Sequence, residues 1–282
     1  MRPPLGDERP CAGRGAALHH GDGPLLLPNA WDVSSAAALA AAGFTAVGTT
    51  SLGVAAAHGL PDGRGLAREE TVALARRLGR SALPCPYTVD IEGGFGGGSD
   101  EVGALVQELA RAGAAGVNLE DGLPGGGLRA VDRQVELVRA VKQSAPALYL
   151  NARIDTHWMT DAPPPLSSAL RRAEAYLEAG ADGIFVPGIV DGNDIEALVA
   201  AIPAPLNILY TPEAHTVPRL ASLGVRRVST GSLLYRGALG AAVAMAEAVR
   251  AGREVPTAGV PGYAEVQEPA ADGVGEDVTS AK

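Results

Sequence analysis

The sequence predicts a single (β/α)8 TIM barrel, and three features of the chain lead to that fold class. Short apolar runs of strand type alternate with stretches of helical periodicity, in eight successive pairs. The pairs extend over about 230 residues, which is the size of one such barrel. Five of the helical stretches end in a glycine that can adopt the left-handed conformation of a helix C-cap. These glycines are Gly43, Gly79, Gly113, Gly180 and Gly224.

The predicted elements alternate strictly along the chain. The strands are expected at 25–30, 46–50, 87–92, 116–120, 148–154, 183–186, 206–210 and 227–230. The helices are expected at 34–42, 68–78, 100–112, 131–143, 167–179, 194–201, 217–223 and 234–250. A doubly wound open sheet is the weaker alternative, because no Gly-rich dinucleotide fingerprint follows the first strand. The segments 1–23 and 253–282 lack this periodicity, so we expect poorly ordered or flexible tails around one barrel domain at 24–252.

The composition of the 282-residue chain excludes several classes of function. Its 23 basic and 32 acidic residues give a net charge of −9, whereas a nucleic-acid surface needs a basic face. No apolar run reaches the roughly 18 residues that span a bilayer, and the N-terminus lacks the apolar core of a secretory signal. We therefore expect a cytoplasmic protein that binds neither nucleic acid nor membranes.

Two scarce residue types exclude further chemistry. Lysine occurs only at Lys142, in a predicted helix, and at the last residue, Lys282, so a Schiff-base mechanism has almost no candidate. Cysteine occurs only at Cys11 and Cys85, and two distant cysteines form neither a disulfide framework nor a zinc cluster.

Carboxylates collect at the ends of the third and fourth predicted strands, where a barrel carries its chemistry. Asp90 and Glu92 are two residues apart, so on a strand their side chains would share one face, and Glu120 ends the next strand. Three carboxylates at one barrel mouth repel one another unless a cation or protons compensate. Oxygen ligands without nearby cysteine or paired histidine suit Mg²⁺ or Mn²⁺. Three separate structural carboxylates are the equally weighted alternative.

Arg153 lies in an otherwise apolar strand, where an unpaired charge would be costly. Its partner could be Glu120 or Asp90, which would make the arginine structural. The partner could equally be a substrate carboxylate, which arginine binds with two hydrogen bonds.

Hydroxyl-rich and histidine-containing loops follow other strands. The backbone N–H groups of the run 48–53 could bind a carboxylate, although the pattern alone favours an ordinary turn. Asp62 precedes Gly63, as in a common turn. His58, His157 and His215 lie in predicted loops, where each could be an acid or base, but a single loop histidine is more often a surface residue.

Taken together, these segments resemble the isocitrate lyase/phosphoenolpyruvate mutase superfamily. The resemblance runs in order from about Leu25 to Arg250 and is carried by the segments 27–32, 42–44, 48–51, 89–96, 116–121, 151–153 and 229–231. It implies a (β/α)8 barrel that acts on 2-oxo acids or their enols with Mg²⁺. It also implies a homo-oligomer, a dimer or tetramer, that exchanges its last helix between neighbours; the Ala-rich helix ending near Ala248 would suit this exchange.

The resemblance also implies roles for individual residues. Asp90 would hold the metal directly, while Glu92 and Glu120 would hold it through water, with Asp62 near that shell. Arg153 would stabilise the enolate oxygen or the carboxylate, so Arg153 and Asp62 are the candidate catalytic residues. The candidate substrate-binding residues are Trp31, Thr50, Ser51, Leu52 and Arg153.

The chain departs from the family pattern in the loop after the fourth strand. Lyases that cleave isocitrate-type substrates carry a Lys-Lys-Cys-Gly-His type loop there, whereas the segment 121–129 contains no Cys, Lys or His. Phosphonomutases use a related loop with Lys and Asn, also absent here. The sequence therefore predicts a Mg²⁺-dependent C–C lyase or decarboxylase that acts on a small 2-oxo or 2-hydroxy dicarboxylate. The alternatives are a C–P bond enzyme and a carboxylate-binding barrel that has lost turnover, and the proton donor is left open among His58, His157, Tyr210 and His215.

Overall fold

The computed structural model describes residues 14–19, 21–81, 83–158, 160 and 162–272. Its strands form one parallel sheet in the order β1-β9-β8-β7-β6-β5-β4-β3-β2. The strands are β1 (Leu25–Leu27), β2 (Asn29–Ala30), β3 (Val47–Thr49), β4 (Tyr87–Asp90), β5 (Gly116–Glu120), β6 (Tyr149–Arg153), β7 (Gly183–Phe185), β8 (Leu206–Leu209) and β9 (Arg227–Ser229).

The first predicted strand is divided in two at Pro28, and this division closes the barrel. β1 pairs with β9, while β2 pairs with β3. Proline has no N–H group to donate to a ladder, so the strand is interrupted there and changes its partner. The nine strands are thus the eight predicted ones with the first strand broken, and the predicted α/β barrel is confirmed.

The helices surround the sheet, and eight of them agree with the eight predicted helices to within two residues. They are α1 (Arg14–Ala17), α2 (Val33–Ala41), α3 (Ser51–Ala57), α4 (Arg68–Arg80), α5 (Ser99–Arg111), α6 (Val131–Ser144), α7 (Leu166–Glu178), α8 (Gly192–Ala201), α9 (Val217–Ser222), α10 (Leu233–Arg250) and α11 (Tyr263–Asp272). α3 was not predicted, because the run that forms it is short and has no polar face. None of the helices in the described ranges is long and apolar enough to cross a membrane.

Two of these helices fall in segments where we predicted tails. α1 belongs to the N-terminal segment, and α11 lies near α2 beyond the end of the barrel. The helical periodicity of α11 was missed. Residues 1–13 and 273–282 lie outside the described residues, so flexibility of the two tails stays a prediction.

The apolar core lies between the helices and the strands. α5 shows the principle, since it buries Val102, Leu105, Val106 and Leu109, which recur at the spacing of one helix face. Each fully buried side chain of this size contributes about 1.5–3 kcal/mol relative to an exposed one. The core therefore fixes the barrel, and the strand ends that it positions are free to carry polar groups.

Candidate active site

A cavity of about 870 Å³ opens at the carboxyl ends of the strands. It brings together seven of the predicted site residues, namely Thr50, Ser51, Leu52, Asp62, Asp90, Glu120 and Arg153. Trp31 and Glu92 are not among the residues that line it. Trp31 instead packs edge-on against the ring of Tyr235, with the ring centroids 5.4 Å apart.

Asp90 ends β4 and is held by hydrogen bonds on three sides. Its Oδ1 accepts from the backbone N–H of Glu92 at 3.0 Å, and its Oδ2 accepts from Asn118 Nδ2 at 3.3 Å. Its own N–H donates to Thr49 Oγ1 at 2.9 Å. The side chain is buried apart from the part that lines the cavity. A carboxylate fixed in this way is preorganised to bind a cation.

Glu92 corrects one step of the sequence interpretation. β4 ends at Asp90, and Glu92 has a left-handed backbone (φ 48°), so the two carboxylates do not share a strand face. Glu92 Oε2 accepts from the N–H of Gly65 at 2.9 Å, while its buried Oε1 has no hydrogen-bond partner among the described residues. Burial raises the pKa of Glu92 to about 7; the Gly65 bond opposes this shift and Asp90 adds to it.

Glu120 and Arg153 form a largely buried ion pair at the ends of β5 and β6. Arg153 Nη1 lies 2.8 Å from Glu120 Oε2, and Arg153 Nε lies 2.6 Å from Asp155 Oδ1. Burial raises the pKa of Glu120 to about 8; Arg153 opposes this shift, whereas Asp155 and Asp90 add to it. Burial alone would lower the pKa of Arg153, but Glu120, Asp155 and Asp90 outweigh it and raise the pKa.

The structure thus confirms the predicted pairing of Arg153 with Glu120. This pairing leaves Arg153 able to bind a substrate as well. Two of the five N–H donors of the guanidinium are used by the carboxylates, and the residue lines the cavity. Its guanidinium also lies over the rings of Trp158 and Phe185, at 5.4 and 5.7 Å from the centroids. These contacts fix the position of the guanidinium. Fixed position is what electrostatic stabilisation of a developing negative charge requires.

The side chains fit a hard divalent cation that one carboxylate holds directly. Within the described ranges no group of three or more His, Cys, Asp or Glu side chains is arranged to hold a metal ion. A single direct ligand, Asp90, with Glu92 and Glu120 acting through water, is compatible with that finding. The buried Oε1 of Glu92 has no hydrogen-bond partner among the described residues, so it is a polar atom that a cation or its bound water could satisfy. Oxygen ligands of this kind suit Mg²⁺ or Mn²⁺.

The hydroxyl-rich run after β3 begins α3, which we had interpreted as a turn. Thr50 caps this helix through its Oγ1, which accepts from the N–H of Gly53 at 3.4 Å. The N–H groups of the first helical turn have no intrahelical partner, so those of Ser51 and Leu52 can bind a ligand in the cavity. Asp62 lines the same cavity from an exposed loop.

The four candidates for the proton donor are not equivalent in the structure. Tyr210 lines the cavity, whereas the three histidines are not among its lining residues. Nδ1 of His58 lies 2.8 Å from the carbonyl oxygen of Val54. Nδ1 of His157 lies 2.8 Å from Thr156 Oγ1, and Nδ1 of His215 accepts from the N–H of Thr211 at 3.3 Å. Tyr210 is therefore the candidate that the fold places at the site.

The loop after β5 carries backbone and apolar groups into the cavity. Gly125, Gly126 and Gly127 all have a left-handed or related backbone (φ 93°, 102° and 84°), which residues with a Cβ rarely adopt. At the loop's start, a Cβ on Gly122 would lie 2.4 Å from Asp155 Oδ2, so a larger residue there would displace the carboxylate that pairs with Arg153. The loop thus offers no acid or base to the site.

Sequence reasoning missed the groups that hold this loop and the ion pair. Asp121 is fully buried and bonds Arg172 at 2.9 Å and the hydroxyl of Tyr176 at 2.7 Å. Arg129 donates to the carbonyl oxygens of Glu120 and Gly93, at 3.3 and 2.9 Å. The only sequence signal was that Asp121 and Asp155 directly follow strands, which did not distinguish structural from chemical carboxylates.

The chain belongs to the isocitrate lyase/phosphoenolpyruvate mutase superfamily. The family model described as phosphoenolpyruvate phosphomutase matches residues 16–250. This match includes every strand of the barrel and every residue of the site described above. The assignment to the family is therefore supported by the whole barrel.

Individual relatives place the chain within that family. An uncharacterized protein of Mycobacterium tuberculosis (strain ATCC 25618 / H37Rv) is 43% identical over 252 residues, which are 89% of this chain and 93% of the relative. The 2-methylisocitrate lyase of Bacillus subtilis (strain 168) is 34% identical over 203 residues, which are 69% of this chain and 65% of that enzyme. A crystal structure of phosphonopyruvate hydrolase in complex with oxalate and Mg²⁺ is 25% identical with a TM-score of 0.77, covering 92% of this chain and 93% of that one.

Proposed function

We propose that this protein is a Mg²⁺-dependent C–C bond lyase or decarboxylase that acts on a small 2-oxo or 2-hydroxy dicarboxylate through a pyruvate-type enolate. The observation that carries the proposal is the convergence of Asp90, Glu120 and Arg153, from three adjacent strands, on one cavity. Relatives that cleave C–C bonds, such as 2-methylisocitrate lyase, and one crystallised with Mg²⁺ and oxalate support it. Mn²⁺ would serve in place of Mg²⁺.

Each residue at this end of the cavity has a defined task in such a reaction. Asp90 would hold the cation directly, and Glu92 and Glu120 would hold it through water. When bound, Mg²⁺ supplies a Lewis acid that polarises the 2-oxo group. The N–H groups of Ser51 and Leu52 bind the carboxylate next to that group, and Arg153 faces the oxygen on which negative charge develops as the C–C bond breaks.

The proton balance of the reaction needs a further group. When a 2-oxo diacid loses CO₂, the electron pair of the broken bond stays in the enolate, and one proton must then reach carbon to give the 2-oxo acid product. When a 2-hydroxy diacid is cleaved, the hydroxyl group loses its proton as the 2-oxo group forms, and one proton must reach the carbon of the other product that keeps the electron pair. Tyr210 lines the cavity and carries a hydroxyl, so we assign the proton transfer to it. Asp62 lines the same cavity, and we assign it a catalytic role near the water shell of the cation.

Calorimetric titration with oxalate tests the enolate site directly, because oxalate has the shape and charge of the pyruvate enolate. Binding that requires Mg²⁺ is expected, and release of a 2-oxo acid or CO₂ from a panel of 2-oxo and 2-hydroxy diacids would then identify the reaction. Absence of oxalate binding with and without Mg²⁺ would contradict the proposal.

C–P bond chemistry is the second candidate, and the description of the family model favours it. A panel of phosphonates, with phosphate and pyruvate as readouts, separates it from C–C cleavage. A carboxylate-binding barrel without turnover is the third candidate, and the loop after β5, which contains no Cys, Lys or His, favours it. Mg²⁺-dependent oxalate binding without product from either panel would identify that case.

We also propose that the protein is a homo-oligomer in which α10 packs against a neighbouring subunit. Of the 18 residues of α10, Tyr235 and Ala248 are the buried ones, while Leu239 and Val243 are 51% and 59% exposed. An apolar helix of this length exposed on a single chain would be costly in water. A molar mass of one subunit in light scattering would contradict this assignment.

A further inference from the structure

Arg227 is a buried cation that forms no ion pair with the residues that the structure describes. It lies on β9, it is 1% exposed, and no carboxylate in the described part of the chain lies within salt-bridge distance of it. Its Nε has no hydrogen-bond partner among the described residues. Burial lowers the pKa of Arg227 to about 10, while Tyr149 and Asp90 oppose that shift, so the side chain stays charged at neutral pH. Burying a charge without a paired opposite charge costs free energy, because the charge loses its hydration.

The guanidinium reaches across the barrel to the candidate metal site. Its Nη2 donates to Asn118 Oδ1 at 3.3 Å, although the two residues are on strands from opposite sides of the sheet order. Asn118 Nδ2 then donates to Asp90 Oδ2 at 3.3 Å. The chain of contacts Arg227–Asn118–Asp90 therefore joins the buried charge to the carboxylate that faces the cation.

Arg227 also decides which way the amide of Asn118 points. Asn118 Oδ1 accepts from Arg227 and from Asn151 Nδ2, the latter at 2.9 Å. An amide such as that of Asn151 can turn over and present its oxygen instead, so it does not fix the orientation of its partner. Arginine has only donors. With Arg227 in place, Asn118 must offer its oxygen to the arginine and its NH₂ group to Asp90.

We propose that Arg227 is a positioning residue for the metal site, which orients Asp90 through Asn118 and compensates its charge from inside the barrel. The inference rests on the proposed function in one respect, that Asp90 binds the divalent cation. Without the arginine, the Asn118–Asn151 pair is free to reverse, and Asn118 would then present its oxygen to the Asp90 carboxylate. That arrangement repels the ligand oxygen from its present position.

Calorimetric titration of the substrate-free protein with Mg²⁺ and with Mn²⁺ tests the role without any activity measurement. Removal of a group that orients a metal ligand typically weakens metal affinity by about 10–100-fold, and this loss is expected for Arg227→Met. Arg227→Lys keeps a donor-only charge and should recover most of the affinity. Arg226→Met is the matched control, because Arg226 donates to the backbone carbonyls of His19 and Gly21 and should leave the affinity unchanged.

A double-mutant cycle distinguishes positioning from general packing. Asn118→Ala should weaken cation binding about as much as Arg227→Met. The double variant should lose little further affinity, because both changes break the same chain of contacts from Arg227 through Asn118 to Asp90. Urea unfolding in EDTA reports the stability of each variant separately. Wild-type cation affinity in folded Arg227→Met or in Asn118→Ala, or a fully additive double variant, would overturn the proposal.

The outcomes also separate this inference from the proposed function. A wild-type protein that binds neither Mg²⁺ nor Mn²⁺ would overturn both. Wild-type binding with unaltered affinity in the variants would overturn the role of Arg227 alone and leave the metal site in place.

Discussion

The two sides of the cavity differ in how their side chains are held. At the ends of β4, β5 and β6, Asp90 is buried, Glu120 and Arg153 are largely buried, and all three are joined to neighbours by contacts of 2.6–3.3 Å. The second side of the lining comes from the loop after β5 and the ends of β7 and β8, which contribute glycines, apolar side chains and the hydroxyl of Tyr210. No charged residue of that second side lines the cavity in the described ranges.

This difference separates two tasks. Under the proposed function, the charged side would bind the reacting part of the substrate, because charge stabilisation requires fixed dipoles and ions. The other side has no fixed charge, so we expect it to select the departing group by shape and by single hydroxyl contacts. Variants on the charged side should therefore reduce turnover of every substrate, and variants on the other side should change which substrate is used.

The largest effect is expected for Asp90→Ala. Loss of the direct ligand removes Lewis-acid stabilisation worth several kcal/mol, so turnover should fall by about 1,000-fold or more. Steady-state kinetics at saturating Mg²⁺, with circular dichroism to confirm the fold, measures this. Asp100→Ala, an exposed acid in the first turn of α5, is the control. Equal turnover in the two variants would remove Asp90 from the metal site.

Arg153→Lys should have the next largest effect. Lysine keeps the charge but cannot bridge Glu120 and Asp155 while facing the substrate, so kcat should fall by about 100- to 1,000-fold. KM should change much less, because the lost interaction forms mainly in the transition state. Arg133→Lys, at an exposed pair with Glu136, should behave like the wild type. A change confined to KM would contradict this role.

Tyr210→Phe tests the side of the cavity that lacks charge. Loss of a proton donor should lower kcat by about 100-fold while Mg²⁺-dependent oxalate binding is retained. Substitution of His58, His157 or His215 by glutamine should have little effect, since these side chains do not line the cavity. A histidine variant that loses more activity than Tyr210→Phe would move the proton transfer to that histidine.

The smallest expected effect is a pH dependence of cation binding. The carboxyl groups of Glu92 and Glu120 have pKa values of about 7 and 8 in the metal-free protein, above those of an unfolded chain. Because both carboxyl groups must ionise while buried, the free energy of unfolding of the metal-free protein falls as the pH rises through these values. A bound cation favours the ionised forms and so offsets this loss.

Mg²⁺ affinity should accordingly be about tenfold weaker near pH 6 than near pH 8.5. Calorimetry at the two pH values measures the difference, and Glu92→Gln should flatten part of it. An affinity that is independent of pH in this range would show that neither carboxyl group takes part in holding the cation.

The barrel and half of the site were predictable because they depend on local pattern. Alternating periodicity located the eight strands, and the rule that barrel chemistry follows strand ends singled out Asp90, Glu120 and Arg153. The assignment of Glu92 to the same strand face was wrong, since a single left-handed residue turns the chain after Asp90. Nothing in the spacing of Asp90 and Glu92 reveals such a turn.

The sequence by itself determined the order of the elements, the residues at the strand ends and the lack of Cys, Lys and His in the loop after β5. The tertiary structure decided that Trp31 packs on Tyr235 outside the cavity, that Tyr210 rather than a histidine lines it, and that Arg227 contacts Asn118, 109 residues away. The reason is physical. Periodicity reports which face of an element is buried, whereas contacts across a barrel exist only after the sheet has closed and brought opposite strands together.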